Sequence, residues 1–429
     1  MKLNIKSPVA ILGFGVEGQS ALDFLKKQGM QDVTICDEKE NPDAFKNLSD
    51  FKTIIRSPGV YYKKPEIESA KNAGVAVTSM TEIAMEIAKE RITAVTGSNG
   101  KTTTTALIAE ILKRHYEGKL IIGGNDGKPV VQEALDNPNL PIVMEVSSFQ
   151  FSDLKMSPHI SAILNITPNH LDWHEDLEDY INAKNNLILH QKKDDWAVLN
   201  THNENSSKMA EKAPGQVFWI GEKRGNNWAA WEDDNIVVNG EKIINIKDVK
   251  VKTHPDNLLF AAAIAKLHNT DNQIIVDVMK TFGGVEHRLE FVREINGISF
   301  YNDSSCTTPE SSEVAIDNFP QGKLILMLGG SSKKVDYGFL AAKIKNNNTR
   351  AYLYGKEGAV IEQALKNEGG EDQIITYNQS GDFEAIIKDV FAKAKEGDSI
   401  VLSPACASFD MFKNAKERGR LFREIVNNL

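Results

Sequence analysis

The sequence predicts an α/β protein of three domains, each an open, mostly parallel sheet packed between helices. Three observations carry this. Apolar runs such as Ile142–Val146 and Ile160–Ile166 alternate with helical patterns, as parallel strands enclosed on both faces do. Strands end in glycine or small polar residues, as in VAILGFGVEG (Val9–Gly18), ITAVTGSNG (Ile92–Gly100) and LILMLGG (Leu324–Gly330), and open α/β sheets bind ligands at such ends. A chain of 429 residues accommodates about three domains of roughly 150 residues. The expected domains are 1–91, 92–286 and 287–429.

A composition of 41% apolar and 25% charged residues is that of an ordinary folded chain. Lys and Arg number 50 against 59 Asp and Glu, a formal charge of −9, which argues against a nucleic-acid partner and leaves anion binding to local clusters. No apolar run approaches the roughly 18 residues of a membrane span, and MKLNIKSPVAIL leads into a strand rather than a signal peptide. A cytoplasmic protein with no membrane partner is expected. Cys36, Cys306 and Cys406 are too scattered for a disulfide framework or a zinc set and read as reduced, buried thiols.

In the first domain, Gly13, Gly15 and Gly18 follow a strand in the G-x-G-x-x-G spacing, and a second strand, Val33–Cys36, ends at Asp37. This is the dinucleotide fingerprint of a Rossmann-like domain, whose glycines let backbone amides approach a pyrophosphate. A third strand, Thr53–Arg56, ends in the tight turn Ser57-Pro58-Gly59 at the ligand edge.

The second domain opens with the stretch that organises the chain. Strand Ile92–Thr96 runs into TGSNGKTTT, and Leu107, Ile108, Ile111 and Leu112 then recur at helical spacing. A glycine turn opening a helix points amides and positive dipole at an anion. Lys101 would reach terminal phosphates and Thr102 would hold magnesium. The general P-loop spacing needs glycine where Val95 stands, so this is a shorter variant. Two polar clusters follow buried strands: EVSSFQ (Glu145–Gln150), with a carboxylate suited to magnesium, and NITPNHLDWH (Asn165–His174), with His170 and Asp172. Helix Glu178–Gln191 carries Lys184, which composition alone assigns to a solvated face. About 50 polar residues then read as irregular, before an alanine-rich helix capped by Asp256 within His254–Leu267.

GGVEHRLEF (Gly283–Phe291) reads as a linker with a hinge. Beyond it, ISFYND, LILMLGG, AYLYG and IVLSPACASFD predict a third, Rossmann-like sheet. The terminal KNAKERGRLFREIVNNL predicts an amphipathic helix with a solvated basic face.

Taken together, TGSNGKTTT, EVSSFQ, NHLD, EHR and LSPACASFD closely resemble the Mur ligase family, over nearly the whole chain. The resemblance implies ATP-dependent amide formation in cytoplasmic peptidoglycan precursor synthesis: a carboxylate takes the γ-phosphoryl group of ATP, and an amine displaces phosphate from the acyl phosphate. It is strongest to members joining D-glutamate to UDP-N-acetylmuramoyl-L-alanine, and a monomer is expected. It implies that Gly97, Ser98, Asn99, Gly100, Lys101, Thr102 and Thr103 cradle ATP, with Asn257, Arg288 and Asp303 as further ATP contacts and His287 beside them. Thr102, Glu145, His170 and a carbamylated Lys184 would hold two magnesium ions, with Lys101, Glu145, His170 and Lys184 the catalytic set. Val16, Glu17, Asp37, Ser57, Pro58 and Gly59 would meet the UDP part. Asn125, Ser147 and Gln150 would meet the sugar and peptide side, and Lys333 and Ser408 the incoming amino acid.

Two departures fall at the amino-acid end: NDSSCT places Ser305 where D-glutamate enzymes commonly carry lysine, and Ala415 replaces a usual aromatic residue. A relative adding L-glutamate or another amino acid therefore stays open. A nicotinamide dehydrogenase built on Gly13–Gly18 would leave Lys101, Glu145 and Lys184 without a purpose, and a silent nucleotide-binding protein would not need them. Folylpolyglutamate-type ligases share the cradle, but the fingerprint domain and EVSSFQ point to a UDP-sugar peptide.

Overall fold

The computed structural model describes residues 4–124, 130–167, 170, 173–331 and 335–429. Packing divides the chain into two units, one running to Val249 and including Pro255–Met279, the other made of Lys250–His254 and Lys280–Leu429.

The first unit holds two sheets. Strands β1 (Val9–Leu12), β2 (Val33–Cys36), β3 (Thr53–Arg56) and β4 (Ala76–Thr78) are all parallel, in the order β2-β1-β3-β4. β1 is apolar throughout because both its faces are covered: Val9 and Ile11 pack with Phe24 and Leu25 of helix Val16–Lys27, and Ala10 and Leu12 with Ile67 and Ala70.

The second sheet contains β5 (Ile92–Thr96), β6 (Ile121–Gly124), β7 (Ile142–Glu145), β8 (Ile160–Ile163), β9 (Trp196–Asn200), β10 (Gln216–Gly221), β11 (Trp228–Glu232), β12 (Asn235–Val238) and β13 (Glu241–Asn245). Their order is β13-β12-β11-β10-β9-β8-β5-β7-β6. The chain places β6 and β7 on one side of β5 and β8 on the other, a switch point that opens a crevice at the strand ends. One apolar core runs from Phe24 and Met85 to Ile121, Ile142 and Leu187, so the two sheets share packing.

The stretch expected to be irregular is instead β10 to β13. Two of its turns are two-residue hairpin loops with both residues at positive φ: Asp233-Asp234 (45° and 62°) and Asn239-Gly240 (50° and 85°). These strands are short and set between polar turns, which hid them, although Asn239-Gly240 is a strong hairpin signal. Asp256 is likewise not a cap, because the helix already begins at Pro255. Its carboxylate accepts from the Asn200 side-chain amide at 3.0 Å.

The second unit is a six-stranded sheet of β14 (Glu290–Ile295), β15 (Ile298–Asn302), β16 (Leu324–Gly329), β17 (Arg350–Tyr354), β18 (Ile374–Asn378) and β19 (Ser399–Leu402), in the order β14-β15-β19-β16-β17-β18. Only β14 runs antiparallel. Leu324, Leu326 and Leu328 feed one core, Ile325 and Met327 the other. The three cysteines are free and buried, as expected.

Candidate active site

The phosphate loop leaves β5 between the ends of β7 and β8. Gly100 sits at φ +83° just before helix Lys101–His115, and a Cβ there would lie 2.6 Å from Asn257 Oδ1. Only glycine fits both the conformation and that contact. The loop's first half is fastened from the side: Ser98 N–H donates to Asn165 O (2.8 Å) and Asn99 N–H to Asn165 Oδ1 (2.9 Å). Ser98 Oγ lies 2.9 Å from the Tyr180 hydroxyl and accepts from Thr167 N–H at 2.9 Å. The first-turn amides of the helix have no intrahelical acceptor, which makes them the donors for an anion. Lys101 Nζ folds back onto the loop, donating to Gly97 O (2.9 Å) and Ser98 O (3.1 Å). Thr102 and Thr103 are half-buried in the first turn.

Glu145 ends β7 directly across from Val95 of β5, and it is buried. Lys184 is also buried, on helix Leu177–Leu189, and its Nζ donates to Thr96 Oγ1 at 3.1 Å and contacts Gly97 O at 3.4 Å. The solvated-face expectation for Lys184 is thus corrected. Burial, with the Lys101 charge adding to it, holds the Lys184 amine well below its usual value. His170 has φ 56° and is exposed, with its ring 4.8 Å from that of Phe149, four residues beyond Glu145.

The glycine fingerprint is closely packed: a Cβ on Gly18 would come within 2.2 Å of Gly13 O. Asp37 accepts from Phe14 N–H (2.7 Å) and Lys39 N–H (2.9 Å), and these two bonds hold its carboxyl below the usual range. Ser57 Oγ donates to Gly13 O at 2.8 Å, tying the Ser57-Pro58-Gly59 turn to the fingerprint. Val16 is 62% exposed at the start of its helix, whereas Glu17 turns inward and accepts from Gln150 Nε2 at 2.8 Å. Burial raises the Glu17 carboxyl despite Gln150 and Arg56. Gln150 Oε1 in turn accepts from Ser147 N–H at 2.9 Å.

In the second unit, Asp303 follows β15 and is buried, accepting from Ser403 Oγ (2.7 Å) and Leu289 N–H (3.2 Å). Burial nonetheless pushes its carboxyl up to about 7. Arg288 beside it is exposed. His287 is buried at φ 65°, and its Nδ1 accepts from the Asn302 side-chain amide at 2.9 Å, which assigns the proton to Nε2. Ser305 N–H donates to His287 O at 3.0 Å. Ser408 is buried beside the strongly exposed Phe409. Arg418, expected on a solvated face, is fully buried: it donates to Ser304 Oγ and O (both 3.0 Å) and to Cys406 O (3.1 Å).

Asn125, Asp172 and Lys333 lie outside the described residues. Among the described residues, one other set, Glu90, His159 and Asp195, has metal-ligand spacing. Its Glu90 is paired with Lys192 at 2.8 Å, so the charge that would draw a cation is already answered.

The Mur ligase middle domain profile matches residues 95–275, and the profile described as Mur ligase, glutamate ligase domain matches 287–406. A UDP-N-acetylmuramoylalanine–D-glutamate ligase of Acetivibrio thermocellus is 36% identical, covering 98% of this chain and 96% of its own. The chain belongs to the Mur ligase family. Another protein of that name, from a Thermoanaerobacter species, is 35% identical over 98% of both chains. Among solved structures, a UDP-N-acetylmuramate–alanine ligase of Thermotoga maritima shares the fold at a TM-score of 0.60 and 19% identity, covering 98% of this chain and 99% of the other. A MurF ligase of the same organism in complex with ADP does so at 0.59 and 16% identity, covering 99% and 96%.

Within this Mur ligase, the structure gathers Lys101, Lys184 and the loop glycines at the end of β5, with Glu145 on the adjacent strand. Sequence reading missed Asn165, Tyr180, Arg56 and Arg418. A signal existed for Arg418, which precedes the buried Phe422 by four residues and so shares its helix face.

Proposed function

We propose that this Mur ligase joins D-glutamate to the alanyl carboxylate of UDP-N-acetylmuramoyl-L-alanine, using ATP and passing through an acyl phosphate. What carries the reading is the loop Gly97–Gly100, with Lys101 and Lys184 converging on Gly97 O, in a chain aligned end to end with D-glutamate ligases. A carboxylate is a poor electrophile, so phosphoryl transfer must precede attack by the amine. That transfer is chiefly positioning and charge neutralisation.

The residues divide the work accordingly. Gly97, Ser98, Asn99, Gly100 and the first-turn amides bind the ATP phosphates, and Lys101 swings from its loop carbonyls to the terminal phosphates. Asn257, Arg288 and Asp303 complete the nucleotide contacts. Thr102, Glu145, His170 and, once carbamylated, Lys184 would hold magnesium, which when bound would supply positive charge to offset that of the phosphoryl oxygens. Their chemistry fits: Glu145 offers carboxylate oxygens and Thr102 a hydroxyl of the kind magnesium takes, and a low-pKa amine at Lys184 is neutral enough to add carbon dioxide. Carbamylation would convert that position into an oxygen ligand.

Val16, Glu17, Asp37, Ser57, Pro58 and Gly59 form the UDP end, Asn125, Ser147 and Gln150 the sugar-peptide side, and Lys333 and Ser408 the amino-acid end. Glu17 contributes through Gln150 rather than by touching phosphate. The proposed domains remain 1–91, 92–286 and 287–429, acting as a cytoplasmic monomer. Among the described residues no helix is long and apolar enough to cross a membrane.

The test is ATP-dependent phosphate release with UDP-N-acetylmuramoyl-L-alanine and, in parallel, D-glutamate, L-glutamate and other amino acids. Release with D-glutamate alone is expected. No product with any amino acid refutes the ligase, and turnover only with L-glutamate transfers the assignment to the second reading, which Ser305 and Ala415 favour.

A further inference from the structure

Arg56 ends β3 with its side chain 1% exposed. Its guanidinium is shared between two segments of the first unit. On one side Nη1 donates to Ser57 O (3.3 Å) and Val60 O (2.9 Å), holding the turn that follows β3. On the other, Nη2 donates to Phe149 O (3.3 Å) and Asp153 Oδ1 (2.5 Å), and Nε to Asp153 Oδ2 (3.3 Å). Phe149 belongs to the short helix Ser148–Phe151, which begins three residues after Glu145. A four-residue helix has almost no stability of its own and stands only where its neighbours hold it.

Two further contacts grip the same helix from the N-terminal sheet's side. Gln150 donates to Glu17, as described. Ser148 Oγ lies 3.0 Å from His174 Nε2, whose Nδ1 lies 2.9 Å from Asp179 Oδ2, and Asp179 accepts from Lys63 Nζ (2.9 Å) and the Tyr62 hydroxyl (3.1 Å). Burial keeps His174 low, consistent with a neutral ring bridging Ser148 and Asp179. Arg56 differs from these because it binds both the Ser57–Val60 turn and the helix with one rigid group. A guanidinium satisfied on both sides fixes the distance between them, and a lysine ammonium cannot span the same acceptors.

We infer that Arg56 is a positioning residue that locks the Ser57–Val60 turn to the segment carrying Glu145, so that seating the UDP substrate on the turn and seating Glu145 for phosphoryl transfer are one event. This rests on the ligase reading. Buried and bonded within the protein, Arg56 acts through Ser57 and Phe149. A displacement of about 1 Å at a reacting centre is enough to cost roughly a hundredfold in rate.

The experiment compares wild type, R56K, D153N and the double variant by steady-state kinetics, calorimetric binding of UDP-N-acetylmuramoyl-L-alanine, and thermal unfolding. R56K should weaken binding of the UDP substrate and raise its KM about tenfold, and lower kcat about tenfold, with KM for ATP and D-glutamate within twofold of wild type. D153N should shift the same two constants less, and the double variant should be no worse than R56K, since both act on one link. Wild-type constants in R56K overturn the inference, as does an equal loss toward all three substrates. If R56K does not fold, D153N decides: shifted UDP-substrate KM and kcat support the inference, and unchanged values overturn it. Wild type inactive with every amino acid overturns the ligase reading and this inference with it, whereas active wild type with unaltered variants overturns this inference alone.

Discussion

The Lys184 amine stands 3.1 Å from the hydroxyl of Thr96, the residue from which the phosphate loop springs. Both groups are buried, and among the described residues the Lys184 amine meets neutral partners: Thr96 Oγ1, Gly97 O and the face of the Tyr180 ring, whose centroid lies 4.8 Å away. A buried amine whose partners are all neutral is costly to keep charged, which favours its neutral or modified form. K184A should therefore keep its fold and lose at least about a hundredfold in kcat, the order seen when one charge-stabilising group is removed. Bicarbonate should not restore it. Carbon-13 NMR with labelled bicarbonate should give a carbamate signal in wild type that K184A lacks; near-normal turnover by K184A would return Lys184 to a structural role.

Gly100 bears against Asn257 in a conformation that disfavours side chains. G100A should cost about 1–2 kcal/mol from left-handed strain, plus whatever moves Asn257. ATP should raise the melting temperature of wild type and barely that of G100A. An equal ATP-induced shift in both would mean that the Gly100 turn is not where phosphate binds.

Asp303 makes stability depend on pH in a definite direction. Its folded carboxyl titrates at about 7 because of burial, against a reference of 3.8. Between these values the folded state holds a proton that the unfolded state has lost, so stability falls as pH rises through the window. Urea unfolding at pH 5 and pH 8 should show D303N gaining on wild type by on the order of 1–3 kcal/mol at the higher pH. A difference independent of pH would contradict the burial of a titrating carboxyl there.

Ser305 is half-buried and anchored by its amide to His287 O. Placing a cation at this point should favour an acidic amino acid: S305K should lower KM for D-glutamate roughly fivefold, the worth of about 1 kcal/mol of ion pairing. An unchanged or higher KM would remove Ser305 from the amino-acid end.

The parallel strands were legible as β-branched, mostly apolar runs that each close on a turn or polar residue; Thr53–Arg56 and Ile92–Thr96 are buried throughout, Val33–Cys36 is partly exposed, and all three stand where the sequence puts them. The β10–β13 extension was not, because its strands alternate short apolar runs with polar residues and resemble loop. Lys184 was misread by residue type, yet its register told otherwise: Tyr180, Leu187 and Ile188 lie four before, three after and four after it, all buried. Arg56 could not be read at all, since its partners Phe149 and Asp153 are 93 and 97 residues away and only the fold brings them together.

Arg418 joins Ser304 across 114 residues, and its guanidinium finishes the corner formed by Ser304 and Cys406. During synthesis Ser304 therefore waits for Arg418. At 5–20 residues per second that interval is roughly 6–23 s. Throughout it the Ser304 turn lacks the arginine that closes it, so this corner is completed only once the last helix, Ala415–Asn427, has been made.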